Sequence, residues 1–357
     1  MRAVLLLLFT CSLWSAERWQ MQYFFDEDKE ELQFTAIALC SPTRGVATGV
    51  LISEGRTKPT SVVTADSGAH WTPTPTQEIG TALFFLEETA GWMVTESGIW
   101  FTDECGRSWR RIYKQRGLTD VRFVSRERGW AIGARKTVIE TRDGGKTWTP
   151  VKEVRELDMD ADRTTFYAID FVTPKVGIIS AKSRGSRDSK IPLWLDPEPE
   201  KRRERPGLAV SLETHDGGET WSANKVSMFG RISRIRVAKD GRGLALVEFD
   251  DYFEFPSEIY RLDTKRTENR VLRKKDFAVT DILFAGKAYA AGFITAGGAF
   301  RSPIPGKVRI ASSQNLSDWT EAKVDYRAVA NRVLLGSAGE NVWAATDTGM
   351  ILKRVVE

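Results

Sequence analysis

Short apolar runs separated by polar turns recur along most of this chain, in step with extended strands and out of step with any helix. Three stretches make the pattern plain: LFFLEETAGWMVTESGIWFT from Leu83, VRFVSRERGWAIGARKTVIET from Val121 and IDFVTPKVGIIS from Ile169. Each reads as an apolar strand, a polar turn and a second strand opened by glycine, and the first two run on into a third strand. A tryptophan-terminated turn follows. TADSGAHW at 64–71, TRDGGKTW at 141–148 and THDGGETW at 214–221 share Thr-x-Asp-x-Gly-x-x-Trp. TDECGRSW at 102–109 keeps Thr, Gly and Trp with Glu104 in the aspartate place, and SSQNLSDW at 312–319 keeps only Ser312 and Trp319.

These residue types build a turn. A Thr or Ser ends one strand, Asp accepts backbone N–H bonds, Gly supplies a positive φ and Trp plugs against the sheet. Thr64, Asp66, Gly68 and Trp71 take those roles in the first copy. Glu104, Gly106 and Trp109, then Asp143, Gly145 and Trp148, then Asp216, Gly218 and Trp221 repeat them, and Trp319 closes the weakest copy. The pattern resembles the Asp-box, or bacterial neuraminidase repeat, and the resemblance implies a β-propeller whose boxes are structural.

Spacing counts the repeats. Trp71 to Trp109 and Trp109 to Trp148 are single steps of 38 and 39 residues. From Trp148 to Trp221 there is one strand set with a polar insertion, and Trp221 to Trp319 holds two, around RIRVAKDGRGLALVEF and DILFAGKAYAAGFI. The last set, including NVWAATDTGMILKR, stops short of a final strand, whereas RWQMQYFF from Arg18 offers Trp19 in the place of a box tryptophan. The expected fold is all-β: a single propeller of about seven four-stranded antiparallel blades, closed by the N- and C-terminal strands in one blade.

Residues 1–16, MRAVLLLLFTCSLWSA, have the layout of a secretory signal, with cleavage expected after Ala16 and lipidation at Cys11 as the alternative. No other stretch approaches the ~20 apolar residues of a membrane span, so residues 17–357 are expected as an exported monomeric propeller, periplasmic or extracellular. A net charge of +4 spread over 357 residues is not the concentrated basic footprint of a nucleic-acid binder. Past the signal only Cys40 and Cys105 remain. The register places Cys40 at the end of an inner strand and Cys105 in an outer turn, which predicts two free thiols.

The Gly-Trp strands, the Thr-x-Asp-Gly-Gly-x-Thr-Trp boxes and the leader together resemble the photosystem II stability and assembly factor family. What the resemblance implies is a non-catalytic scaffold that holds a protein partner through basic surface residues. The alternative is a glycoside hydrolase of the sialidase class, which needs an Arg cluster, an acid and a Tyr nucleophile paired with Glu. No Arg-Ile-Pro signature precedes Thr64, and FGRIS at Phe229 comes late and lacks the proline. His70 and His215, the two histidines, sit inside box turns, which leaves no material for a metal site or a Ser-His-Asp relay. The glycine pairs lack the Lys-Ser/Thr of a phosphate loop. No cofactor is expected.

Partner contacts are expected on the insertion at 183–207, which joins the second and third strands of the fourth blade and leaves the face opposite the boxes. Its candidates are Arg184, Arg187, Trp194, Lys201, Arg202, Arg203 and Arg205, an aromatic anchor among cations suited to an acidic or membrane-associated protein segment. Loops with Tyr252, Phe253 and Phe255, and with ITAGGAFRSPIPG from Ile294, leave the same face. In RISRIRVAK from Arg231 the alternation is irregular, and its arginines are expected on a solvated strand edge.

Overall fold

The structure is a computed structural model, and it describes residues 17–184, 207–249, 255–262, 269–295 and 304–356. The chain is almost wholly extended, with one five-residue helix, Lys152–Glu156, among the described residues. Seven sheets follow one another along the sequence, the first six each entered at the innermost strand and left at the outermost. In the first sheet these are Glu30–Leu39, Gly45–Ser53, Arg56–Thr64 and Thr72–Thr74.

The innermost strands of the other sheets are Ala82–Glu87, Leu118–Phe123, Thr164–Phe171, Arg231–Val237, Phe277–Ala285 and Val333–Ala338. Each touches the innermost strand of the next sheet, and the last touches the first. In the seventh sheet Met350–Val356 pairs antiparallel with Glu17–Phe24, so the first and last described strands lie in one sheet. The linker strand Lys323–Val324 adds to the outer edge of Glu17–Phe24 in parallel and covers it.

Turns from the third to the fourth strand secure the joints between sheets. In the four stronger boxes a threonine Oγ1 accepts the N–H of the glycine four residues on, at 3.0 Å for Thr64, 3.1 Å for Thr102, 2.9 Å for Thr141 and 2.8 Å for Thr214. Asp66, Asp143 and Asp216 accept the N–H four residues further along, from His70, Thr147 and Thr220 at 2.9, 2.9 and 3.0 Å. The glycines are required. Gly218 has φ +79° and a Cβ there would lie 2.5 Å from the Trp130 ring of the preceding sheet; at Gly106, φ +83°, it would strike Val46 at 2.9 Å. In the weak copy Asn315 replaces the aspartate, accepting the N–H groups of Ser317 and Asp318 at 2.9 Å each.

The box tryptophans pack across the same joints. Trp148 and Trp221 are buried and Trp71, Trp109 and Trp319 half-buried. Trp71 meets Trp343 of the seventh sheet edge-on at 5.3 Å, and Trp221 meets Trp130 at 6.3 Å. Trp19, which has no box, makes the equivalent contact with Tyr289 at 6.2 Å.

A cation crosses four of these joints to a carbonyl in the next sheet's box. Arg44, Arg128 and Arg242 each precede the glycine that opens a second strand, and they donate to Glu104 O (3.4 Å), Gly217 O (3.1 Å) and Gln314 O (2.6 Å). Lys353 of the seventh sheet does the same for Ser67 O at 2.8 Å.

Cys40 and Cys105 are disulfide-bonded, which corrects the expectation of free thiols; their Cα atoms lie 5.9 Å apart, within the usual range. Cys40 stands just past its innermost strand, in the turn on the box face, and Cys105 lies in the box of the next sheet. Comparing positions within one repeat hid this, because each box leans over the sheet before it.

Two outcomes test this architecture. Closing a loop of 65 residues is worth about 4 kcal/mol in the chain-entropy account, so reductant should lower the urea midpoint, and an unchanged midpoint with both thiols alkylated would contradict it. Removing residues 17–25 takes away the outer strand of the seventh sheet, and calorimetry should show loss of the native transition rather than a shift of a degree or two.

Candidate functional site

The site is the central channel, and a repeated irregularity builds it. In five innermost strands the antiparallel register slips around a single residue: Thr35, Thr119, Tyr167, Ser233 and Thr280. Each sits four residues ahead of the position that pairs with the glycine or alanine near the start of the second strand. A bulge of this kind shifts the phase of the side chains that follow it. Three of the bulged residues stitch neighbouring sheets: Thr35 donates to Gly80 O at 2.5 Å, Thr119 to Phe166 O at 2.7 Å and Thr280 to Val333 O at 2.7 Å.

Directly after the bulges come Asp120, Arg234 and Asp281, and two residues further on come Arg122 and Arg236. All five line one cavity of about 360 Å³ together with Tyr167 and Arg332. Here the structure corrects the reading of RISRIRVAK: its arginines are not on a solvated edge. The bulge at Ser233 puts Arg234 and Arg236 on the channel wall, and the irregular alternation in the sequence was its trace.

Most of these charges are paired. Arg122 Nη1 lies 2.7 Å from Asp120 Oδ1, and its Nε is 3.9 Å from Asp170. Asp281 takes Arg234 at 3.4 Å and Arg236 at 4.0 Å while accepting the N–H groups of Ile282 and Leu335 at 2.9 Å. Arg231 reaches Glu248 at 2.7 Å, with its guanidinium 5.5 Å from the Tyr167 ring. Burial pushes the Asp170 carboxyl up, against the pull of Arg122 and Arg236. Burial also works against the charge of Arg234, but Asp281 and Glu248 outweigh it and its pKa is raised.

Arg332 differs. Its backbone N–H donates to Asp347 at 3.0 Å, but its guanidinium has no carboxylate within ion-pair distance among the described residues. The side chain is open to the channel yet ringed by protein, and burial followed by the nearby Arg234 lowers its pKa. An anionic or hydrogen-bond-accepting group entering the cavity would relieve that unpaired charge.

The cavity is lined by residues at the start of some innermost strands, such as Leu118, and near the end of others, such as Ile37 and Arg236, so it runs along the channel wall. Thr164, which begins the fourth innermost strand, pairs with Ser183, where the 183–207 connection departs, so that connection leaves from the end away from the boxes. Of the residues expected to bind there, Arg184 is exposed. Arg187, Trp194, Lys201, Arg202, Arg203 and Arg205 lie outside the described residues, as do Tyr252 and Phe253. Phe255 is buried under Arg273, whose guanidinium stands 4.0 Å from its ring.

Among the described residues a Tyr–Glu pair in hydrogen-bond contact is Tyr260 donating to Glu258 at 2.5 Å, away from the channel on the third strand of the fifth sheet, Ser257–Arg261. Burial and Glu258 push that phenol up to about 12, the wrong direction for a nucleophile. His70 is exposed and bonded to Asp66 at 2.6 Å, and His215 is exposed. Among the described residues no cluster of His, Cys, Asp or Glu is fit to hold a metal, and no helix is long and apolar enough to cross a membrane.

Sheet order, box turns and central channel together define an Asp-box propeller. Within that class the chain resembles the photosystem II assembly factor Ycf48. A family model described as photosynthesis system II assembly factor YCF48 matches residues 112–183. The photosystem II assembly protein Ycf48 of Thermosynechococcus vestitus is 39% identical over 54 residues, 15% of this chain and 14% of the relative. The photosystem II assembly lipoprotein Ycf48 of Prochlorococcus marinus is 25% identical over 154 residues and is matched over 44% of its length. The lipoprotein of the same name from Trichormus variabilis is 21% identical over 264 residues, 65% of this chain and 71% of the relative. A solved structure of YCF48 bound to a D1 peptide superposes with a TM-score of 0.58 at 15% identity, over 94% of this chain and 97% of that one.

Two measurements probe this chemistry. Replacing Asp281 with Ala strands Arg234 and Arg236 on the wall and should cost about 3 kcal/mol or more in urea unfolding. Asp66, Asp143 and Asp216 are held down to about 2 from 3.8, by the His70 backbone N–H in the first and chiefly by the Thr147 and Thr220 hydroxyls in the others. Their contribution is therefore complete above the ordinary carboxylate range and disappears as pH falls through about 2. Melting temperature should drop over that interval, and less steeply in an Asp143→Asn, Asp216→Asn double variant.

Proposed function

We propose that this protein is a non-catalytic exported scaffold that holds a segment of a partner protein at the central channel. The observation that carries the reading is Arg332, an unpaired guanidinium facing a cavity whose other charges are matched within the wall. A polypeptide with an acidic side chain or backbone carbonyls supplies what Arg332 lacks. The solved relative bound to a D1 peptide supports a polypeptide as the kind of ligand, and the assembly role in the relatives' names supports a transient partner.

Export is supported by the disulfide, which persists in oxidising compartments, and by the lipoprotein names of several relatives. In this reading residues 1–16 are removed, with lipid attachment at Cys11 as the alternative route to the membrane. The 183–207 connection departs at Ser183 and returns at Gly207, and in this reading its Trp194, Arg202 and Arg203 add to the contact while the propeller works as a monomer.

Affinity capture from the native envelope fraction, quantified by mass spectrometry, tests this. Arg332→Gln should reduce recovery of the principal partner at least tenfold, and a Trp194→Ala, Arg202→Ala, Arg203→Ala variant should reduce it further. An unchanged partner profile in both variants rejects the site. Turnover of a sialoside or another member of a glycoside panel would reject the non-catalytic reading.

A further inference from the structure

At four joints a box turn of the following sheet lies over the second strand of the preceding one and offers a carbonyl to its cation. Among the described residues, the joint between the sixth and seventh sheets has no such turn. Among the described residues the seventh sheet has no box, its third strand Met350–Val356 and fourth strand Glu17–Phe24 being far apart in sequence. Lys287 stands where Arg44, Arg128 and Arg242 stand in their sheets: Phe284 pairs with Ala288 as Phe123 pairs with Gly129. With no carbonyl to reach, its ammonium bonds to the Glu17 carboxylate.

That substitution is incomplete. The second oxygen of Glu17, Oε1, is buried and accepts no hydrogen bond, which is costly for a carboxylate. Beside the pair is a cleft of about 680 Å³, lined also by Gln314, Asn315, Asp318 and Lys323. Trp19 on Tyr289 fills only the tryptophan's share of the absent turn.

We propose that this cleft is a docking site for a glycine-containing turn of a second protein, which takes the place of the missing seventh box. A carbonyl of that turn accepts from Lys287, and one of its N–H groups donates to the free oxygen of Glu17. The occupied joints set these requirements: the accepting carbonyls there belong to the third or fourth residue of a box, and the turn meets the preceding sheet at a residue of positive φ, glycine in the four stronger boxes and Leu316 in the weak one. The site is at the outer rim of the box face, away from the channel, and does not depend on the function proposed for the channel.

The test uses the whole protein and a cyclic peptide carrying this chain's own strongest turn, residues 213–222. In ¹⁵N-resolved NMR, the peptide should move resonances of Glu17, Lys287 and residues 312–318. Lys287→Met should weaken binding at least tenfold and Lys287→Arg should retain it, with melting temperature recorded for both to confirm the fold. Absence of shifts at millimolar peptide, shifts centred elsewhere, or equal affinity in a folded Lys287→Met protein would each overturn the proposal. Self-association of the free protein abolished by Lys287→Met would overturn it too, by assigning the cleft to a second copy.

Discussion

Everything in this molecule depends on how one sheet's outer turn closes over the sheet before it. A four-stranded sheet with two apolar faces cannot stand alone in water, and the wedge between neighbours must be filled at the wide outer edge as well as at the axis. The box turn does this with four parts: a glycine thin enough to lie on a neighbouring Val or Trp, a tryptophan against the same strand, a threonine–aspartate cap, and a carbonyl that receives a cation. Losing a residue type from the motif therefore changes a joint between sheets rather than a loop.

This explains which parts of the fold could be read from the sequence. Strand polarity, the order of strands within a sheet and the boxes at Thr64, Thr102, Thr141 and Thr214 follow from local patterning, because the turn residues and the alternation lie within a few positions of one another. The role of Trp19 was also legible from its likeness to a box tryptophan, although it lies within its strand, Glu17–Phe24, where Trp148 stands just before one. The pairing of Cys40 with Cys105 was not, because it spans two repeats and becomes visible only when each box is placed on its neighbour.

The channel was harder still. A bulge leaves only a stumble in the alternation, and in RISRIRVAK the stumble looked like poor strand patterning. It is the device that turns Arg234 and Arg236 inward against Asp281. Charges brought together from the third, fourth, fifth and sixth sheets have no common sequence signature. Arg332, distinguished by lacking a partner, could not be singled out among so many arginines. The 183–207 insertion stands out in the sequence because it is long and basic, whereas the charged cavity is visible only in the folded ring.

A ring can only open by parting at a seam. Between the first and second sheets that seam is covalent, so in an oxidised molecule these two sheets move as a single double-width unit. Thermal breathing and mechanical rupture are thereby directed to the seams held by packing and hydrogen bonds, among them the one closed by Trp19 on Tyr289, Thr280 on Val333 and Lys287 on Glu17.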